Sequence, residues 1–385
     1  MDDFFRGMAT IGELSPNPNP LKKYPQQLSE WQGVANSFAQ VGGNILTAMK
    51  EFPQNIYKED QLVIKVISIG GGGANTINRM LDSQLSGVEF IAINTDVQDL
   101  YNKSNASIKL PIGIELTKGH GSGGKPETGE KAAIEDSEAI SEVIKGADIV
   151  FIISKMGGGT GTGAAPVIAK IAKRMGALVI GIVTTPFEFE GRYKMTVARE
   201  GIRKLRAEAD SLITIHNQNF INIINSKITL NEAFLLADEI IYQFVWVISE
   251  LVDKNGFLNS DFSEMKTILE GKGDILFGIG FASGENRAIN ALNIAINNSF
   301  FDNKNIINST GVIIYIIGPE DITLLEIKNI LDVIKEKCNP NINLIHGLRL
   351  DSEIDDRIKV IVIASGFDNE KLTNNKITDN YVNIS

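Results

Sequence analysis

A chain of 385 residues with 43% hydrophobic and 22% charged content has room for two domains with sizeable cores. Its one cysteine, Cys338, excludes an internal disulfide framework and fits a reducing compartment, and one Cys with three scattered His gives no structural-zinc spacing. A formal net charge of −10 excludes nucleic acid as the main partner, because neutralising phosphates takes clustered Lys and Arg.

The chain starts Met1-Asp2-Asp3-Phe4-Phe5-Arg6, without the basic start or apolar core of a secretory signal. Residues 240–249, the longest strongly apolar helical stretch free of charge, are too few to span a bilayer. A cytoplasmic protein with no direct membrane insertion is expected. Residues 15–20 (SPNPNP) read as a proline-punctuated linker. Leu28, Trp31, Val34, Phe38, Val41, Ile45, Met49 and Phe52 then alternate three and four apart, an apolar helical stripe interrupted by Gly42-Gly43. Docking on its own domain and a groove-binding or self-associating role fit that stripe about equally. Lys50 is the one basic residue in 28–52, so lipid binding is the weaker alternative.

Residues 62–69 (LVIKVISI) form the first predicted strand, and Gly70-Gly71-Gly72-Gly73-Ala74-Asn75 leads into a helix bearing Ile77, Met80 and Leu81. A second strand, 88–93, ends in Asn94-Thr95-Asp96. These features also fit a dinucleotide-binding Rossmann unit, where an acidic residue after the second strand binds ribose. The third glycine of that fingerprint, counted from Gly70 and Gly72, is Asn75 here, and no further dehydrogenase feature follows. Residues 116–127 (LTKGHGSGGKPE) are another glycine-rich loop before a helix over 129–145, and alone would read as a solvated loop.

Residues 147–154 (ADIVFIIS) read as a buried strand and 164–175 as a helix. Between them Met156-Gly157-Gly158-Gly159-Thr160-Gly161-Thr162-Gly163 places backbone N–H groups and two threonine hydroxyls beside a helix N-terminus, which suits a phosphate chain. No Lys-Ser/Thr pair follows, which excludes the P-loop pattern. Strands over 178–183 and 211–215 come next, Asn217 closing the second. Thr229-Leu230-Asn231-Glu232 is a capping box opening a helix over 229–254, apolar on nearly every side and so expected between two domains. Within it Phe234 and Asp238 share one face; alone, Asp238 also reads as an internal cap or salt-bridge partner. The helix ends at Asn255-Gly256, and Asp261 beyond it reads on its own as an Asx-turn and helix cap. Strands over 275–281, 312–317, 344–350 and 358–364 with helices over 287–297 and 324–337 make a smaller α/β domain with a mixed sheet.

The string GGGTGTG at 157–163 resembles, letter for letter, the bacterial signature loop of the tubulin/FtsZ superfamily of GTPases. VEFIAINTD (88–96), TTPFEFEGR (184–192), the NSDFSEMK segment (259–266) and GIGFASGENRA (278–288) are similar to FtsZ strings in the same order. The resemblance runs over 62–367 and identifies a divergent bacterial FtsZ. It implies an α/β fold: a Rossmann-type GTPase domain, a long central helix and a second α/β domain with a mixed sheet. The division expected is an extension at 1–60, a GTP-binding domain at 61–228, the central helix at 229–256, a GTPase-activating domain at 257–367 and a short polar tail at 368–385.

In that reading GTP or GDP lies across Gly71, Gly72, Gly73 and Asn75, across Gly121, Ser122, Gly123 and Gly124, and across Gly157, Gly158, Gly159, Thr160, Gly161, Thr162 and Gly163. Ribose falls to Glu190 with Lys194 nearby, and guanine to Asn217, Phe234 and Asp238. Asn259, Asp261 and Glu264 complete the site of the next subunit, so the implied partner is the chain itself in a head-to-tail homopolymer at the division site. Mg²⁺ is implied on the phosphates, mainly through water, with no protein ligand. Division proteins are candidate partners of the N-terminal helix.

The chain departs from the family at His120 and Lys125, at Lys155 (where glycine is usual), at Lys194 and Lys266 (arginine), and at Glu264 (aspartate, although α-tubulin has glutamate there). The tail also lacks the usual adaptor-binding peptide. An FtsZ-like scaffold that binds GTP but hydrolyses it weakly is therefore the alternative, and a nucleotide-dependent oxidoreductase the more distant one.

Overall fold

All six residues of β1 (Ile64–Ile69), all eight of β5 (Leu178–Thr185) and six of the seven in β4 (Ile149–Lys155) are buried. Strands buried on both faces need helices on both sides, the arrangement of a parallel α/β sheet. The computed structural model describes residues 62–367 except 84, 86, 224–228, 253–260 and 298–305. The linker at 15–20, the striped helix at 28–52, the helix end at Asn255-Gly256, Asn259 and the tail lie outside the described residues.

The first half runs β1, α1 (Gly71–Asp82), β2 (Val88–Asn94), α2 (Val97–Lys103), β3 (Ile108–Pro111), α3 (Ile114–Thr117), α4 (Pro126–Glu135), α5 (Ser137–Ile144) and β4. It continues through α6 (Thr160–Arg174), β5, a 3-10 turn (Glu188–Glu190), α7 (Arg192–Glu208), β6 (Ser211–His216) and α8 (Asn217–Ile223). The long helix α9 (Leu230–Val252) leads to α10 (Phe262–Leu269), β7 (Gly273–Asp274), β8 (Leu276–Ala282) and α11 (Arg287–Asn297). β9 (Gly311–Gly318), α12 (Leu324–Lys337), β10 (Asn343–Leu350) and β11 (Ile358–Ser365) complete it. The first seven strands form a parallel sheet of order β3-β2-β1-β4-β5-β6-β7. The last four form a sheet of order β10-β9-β11-β8, mixed because β10 runs parallel to β9 and β11 antiparallel to both its neighbours. The α/β fold with a second mixed sheet is thus as the sequence leads one to expect.

Alternate residues of β1 belong to different cores. Ile64 and Val66 join a cluster with α9, and Ile67 and Ile69 join one with α4, α5 and α6. The α9 cluster also takes Phe277 of β8, Ile313 and Tyr315 of β9 and Ile361 of β11, so the helix is buried between the two sheets. Phe244 stands edge-on to Phe151 of β4 at 6.2 Å and to Phe277 of β8 at 5.2 Å. The capping box opens α9 as read: Thr229 N and Oγ1 donate to Glu232 Oε2 at 2.7 and 2.8 Å, and Glu232 N donates to Thr229 Oγ1 at 3.2 Å.

Two of the expected helices differ, and α2 and α7 were not read from the sequence. The single helix over 129–145 is two, parted at Asp136, whose Oδ2 accepts the Gly113 N–H at 2.6 Å. The helix after the signature loop starts at Thr160, inside the glycine string. Glycine allows this because α6 lies against its neighbours: a Cβ on Gly163 would fall 1.9 Å from the Pro126 carbonyl oxygen of α4.

Truncating Phe244 to alanine removes a ring that touches both Phe151 and Phe277. Urea denaturation of Phe244→Ala should show a loss of about 3–5 kcal/mol; a loss below about 1 kcal/mol would mean the two sheets do not depend on this ring.

Candidate functional site

β1 and β4 are neighbours in the sheet where the strand order reverses, and each is followed by a glycine run that turns into a helix. Open α/β sheets bind ligands in the crevice at that position, outside the carboxyl ends of the strands. The caps of α1 and α6 are Gly70 and Gly159, and no side chain bonds either helix end, so the positive ends of two helix dipoles meet there without a capping oxygen. Gly71, Gly72 and Gly73 form the first turn of α1. Gly157 takes φ 100°, open only to glycine, and the Lys194 carbonyl oxygen lies 3.0 Å from where its Cβ would stand. Gly158 is exposed and faces open space, as do Gly123 and Gly124.

The threonine hydroxyls lace the loops together. Thr160 Oγ1 lies 2.6 Å from Thr95 Oγ1 and 3.1 Å from Ser122 Oγ, and Thr162 Oγ1 accepts the Gly157 N–H at 2.9 Å. The Gly121 N–H donates to the Thr95 carbonyl at 3.2 Å and the Gly70 N–H to the Ile93 carbonyl at 2.8 Å, so all three glycine loops and the end of β2 form one bonded assembly. Lys125, on which the sequence was open, is exposed at the cap of α4.

Beside this assembly α1 and α9 form a groove of about 540 Å³. Asn75, Asn78, Arg79 and Asp82 line it from α1, and Asn231, Phe234, Leu235 and Asp238 from α9. Both sets follow the i, i+3, i+4, i+7 spacing of one helix face. Asp238 is buried, its Oδ1 accepting the Thr76 hydroxyl at 2.5 Å with Lys155 Nζ 3.8 Å away. Burial raises the pKa of its carboxyl above the usual range, against the opposing pull of Lys155, Thr76 and Arg79. Phe234 meets Phe187 edge-on at 5.5 Å, and Phe187 stacks on the exposed Phe189 at 5.1 Å.

Glu190 accepts the Phe187 N–H at 3.0 Å and pairs with Lys194 at 3.2 Å, so the two residues expected near ribose hold each other. Asn217, at the start of α8, is buried, and its Oδ1 has no partner. A buried acceptor left unmatched costs about 1–3 kcal/mol, and a donor on a ligand would relieve it. Asp261 and Glu264 are not brought to the groove. Asp261 caps α10, accepting the Ser263 N–H at 3.2 Å, and exposed Glu264 lies in the first turn of this helix, which packs on β9 and β10. Thr76, Asn78, Arg79, Asp82, Asn231 and Leu235 were not picked out from the sequence. For all but Thr76 the signal was the shared helical spacing with Asn75 on one side and with Phe234 and Asp238 on the other; Thr76 carried none.

The family described as Tubulin/FtsZ family, GTPase domain, matches residues 63–225, and the FtsZ family C-terminal domain matches 273–368. Among solved structures, an empty FtsZ dimer from M. jannaschii is 37% identical, with 83% of this chain and 92% of that chain covered and a TM-score of 0.75. An FtsZ mutant from the same organism is 36% identical over 85% and 96% of the two chains, also at 0.75. GDP-bound CetZ1 from Haloferax volcanii is 22% identical over 80% and 95%, with a TM-score of 0.68, a likeness of fold alone.

Because burial raises the pKa of Asp238 above its unfolded value, the cost to stability builds as the pH rises past the unfolded pKa and is full above the raised one. Asp238→Asn, which can still accept from Thr76, should melt a few degrees higher at neutral pH in nucleotide-free protein. The gain should shrink as the pH falls below the raised pKa. A variant that melts lower at neutral pH would show that the Lys155 pairing outweighs burial.

Proposed function

The chain belongs to the tubulin/FtsZ family, and from that premise we propose that it is a GTP-binding, filament-forming GTPase of bacterial cell division, hydrolysing GTP where subunits meet. The observation that carries the reading is the junction of the three laced glycine loops with the groove that holds Phe234 and Asp238. Phosphates take the two helix N-termini and the open faces at Gly158, Gly123 and Gly124. The base stacks on Phe234 and gives N–H donors to Asp238, whose burial makes an uncompensated charge costly and a matched donor valuable. The unpartnered Asn217 Oδ1 supplies a further acceptor, and Glu190 with Lys194 flanks the loop for ribose.

Mg²⁺ accompanies the nucleotide, helping to neutralise charge on the phosphates. The ion would be held mainly through phosphate oxygens and water.

Hydrolysis needs a group that orients water on the γ-phosphate. Asp261 and Glu264, placed on α10 against the second sheet, serve the nucleotide of the adjoining subunit in a head-to-tail polymer. The FtsZ dimer among the relatives supports self-association. We place the polymer at the division site; among the described residues no helix is long and apolar enough to cross a membrane.

GTP turnover per subunit, measured against protein concentration with pelleting in the same samples, should rise together with polymer above a threshold. Polymer without turnover would move the function to the scaffold reading. Asp238→Ala should weaken GTP binding, whereas Glu264→Ala should leave binding intact and lower turnover on the order of 100-fold or more. Equal loss of binding in both variants would sink the assignment of the two halves to different subunits.

A further inference from the structure

Lys155 is the last residue of β4, two residues before the glycine string at 157–163. Its stem passes over the first turn of α1, where a Cβ on Gly72 would lie 2.8 Å from Lys155 Cδ. From there the ammonium enters the groove, 4.9 Å from the centroid of the Phe234 ring and 3.8 Å from Asp238 Oδ1. These two groups are the ones assigned to the base: the ring to stack on it and the carboxylate to accept from it. Atoms in a stacked pair lie about 3.5–4.0 Å apart, so an ammonium over the ring stands in the layer a base needs.

We propose that Lys155 is a built-in competitor for the base, filling its place on Phe234 and Asp238 in the nucleotide-free chain and swinging out when the nucleotide binds. The proposal rests on the reading of this groove as the guanine site. In the free chain the lysine supplies the positive partner that a buried carboxylate requires, and the ring face adds a cation–π attraction. A base that displaces it replaces the pairing with its own N–H donors. Affinity is then reduced by whatever the lysine loses on leaving. Lys155 thereby sets how readily the chain loads nucleotide and so the nucleotide level at which loading begins.

The test is equilibrium binding of GDP, which avoids turnover, to the full chain and to its Lys155→Gly, Lys155→Ala and Asp238→Ala variants, with melting curves to establish folding. Loss of an ion pair and a cation–π contact of this kind is expected to tighten GDP binding about tenfold in Lys155→Gly and Lys155→Ala. The alanine variant keeps the test valid if glycine at the strand end loosens the fold. Unchanged or weaker binding in both Lys155 variants, with wild type binding GDP and Asp238→Ala failing to, would overturn the competitor role and leave the guanine site standing. If neither wild type nor the Lys155 variants bind GDP at millimolar concentration, the competitor role and the guanine reading fall together.

Discussion

Phe244 sits between Phe151 of the parallel sheet and Phe277 of the mixed sheet, meeting both edge-on. T-shaped contacts of this kind add to area burial and fix the angle at which rings meet, so α9 cannot slide along either sheet without breaking one of them. Around this ring Val245, Val247, Ile248 and Leu251 are fully buried in the same core, which takes side chains from β1, β4, β8, β9 and β11. Tyr315 and Trp246 continue the seam, their rings 5.7 Å apart. The second sheet is therefore positioned against the first mainly by α9, with α10 adding a second link, its Leu269 and Ile268 carbonyls accepting from Ser211 of β6 and Ser365 of β11.

The helix α9 also carries one wall of the groove. Phe234 and Asp238 lie in the N-terminal half of α9, and Phe244 and Leu251 farther along. The opposite wall is α1, whose first turn is the glycine run after β1. Whatever fills the groove touches the phosphate-loop helix and the helix that positions the second sheet at once. Close packing turns a small displacement at such a junction into a rearrangement between discrete packings instead of a smooth drift. In the proposed polymer, this shared helix would couple nucleotide in the groove to the second sheet.

Most of the fold was legible because parallel-sheet strands are continuous apolar runs and helices repeat apolar residues at helical spacing. The strand over 178–183 and the helix over 324–337 were set by apolar run and helical period alone, and the structure keeps the latter to the residue. What could not be read was tertiary: Asp136 breaks a helix because it bonds Gly113, and only the fold places Gly113 within reach. The same holds for the groove. Asn75, Phe234 and Asp238 were visible as a pattern, yet nothing in the linear order says that α1 and α9 face each other or that Lys155 from β4 reaches between them. Glycines were read for phosphate contact, and part of their use is packing, as at Gly163 against Pro126.

The two halves of the proposed chemistry differ in how the chain holds them. The binding half is buried and bonded from several elements: Asp238 from α9 to Thr76 of α1, Thr160 of α6 to Thr95 and Ser122. Its geometry is complete within one chain. Asp261 and Glu264 by contrast are exposed at the start of a short helix on the second sheet, with one Asp261 oxygen committed to the cap. Exposed carboxylates are well solvated there and have no reason to perturb water chemistry until a second molecule covers them and removes bulk water. In the proposed function, hydrolysis that waits for burial of these groups against another subunit would follow from where the chain places its charges: the groove is lined within one chain, and the exposed carboxylates would need a second to cover them.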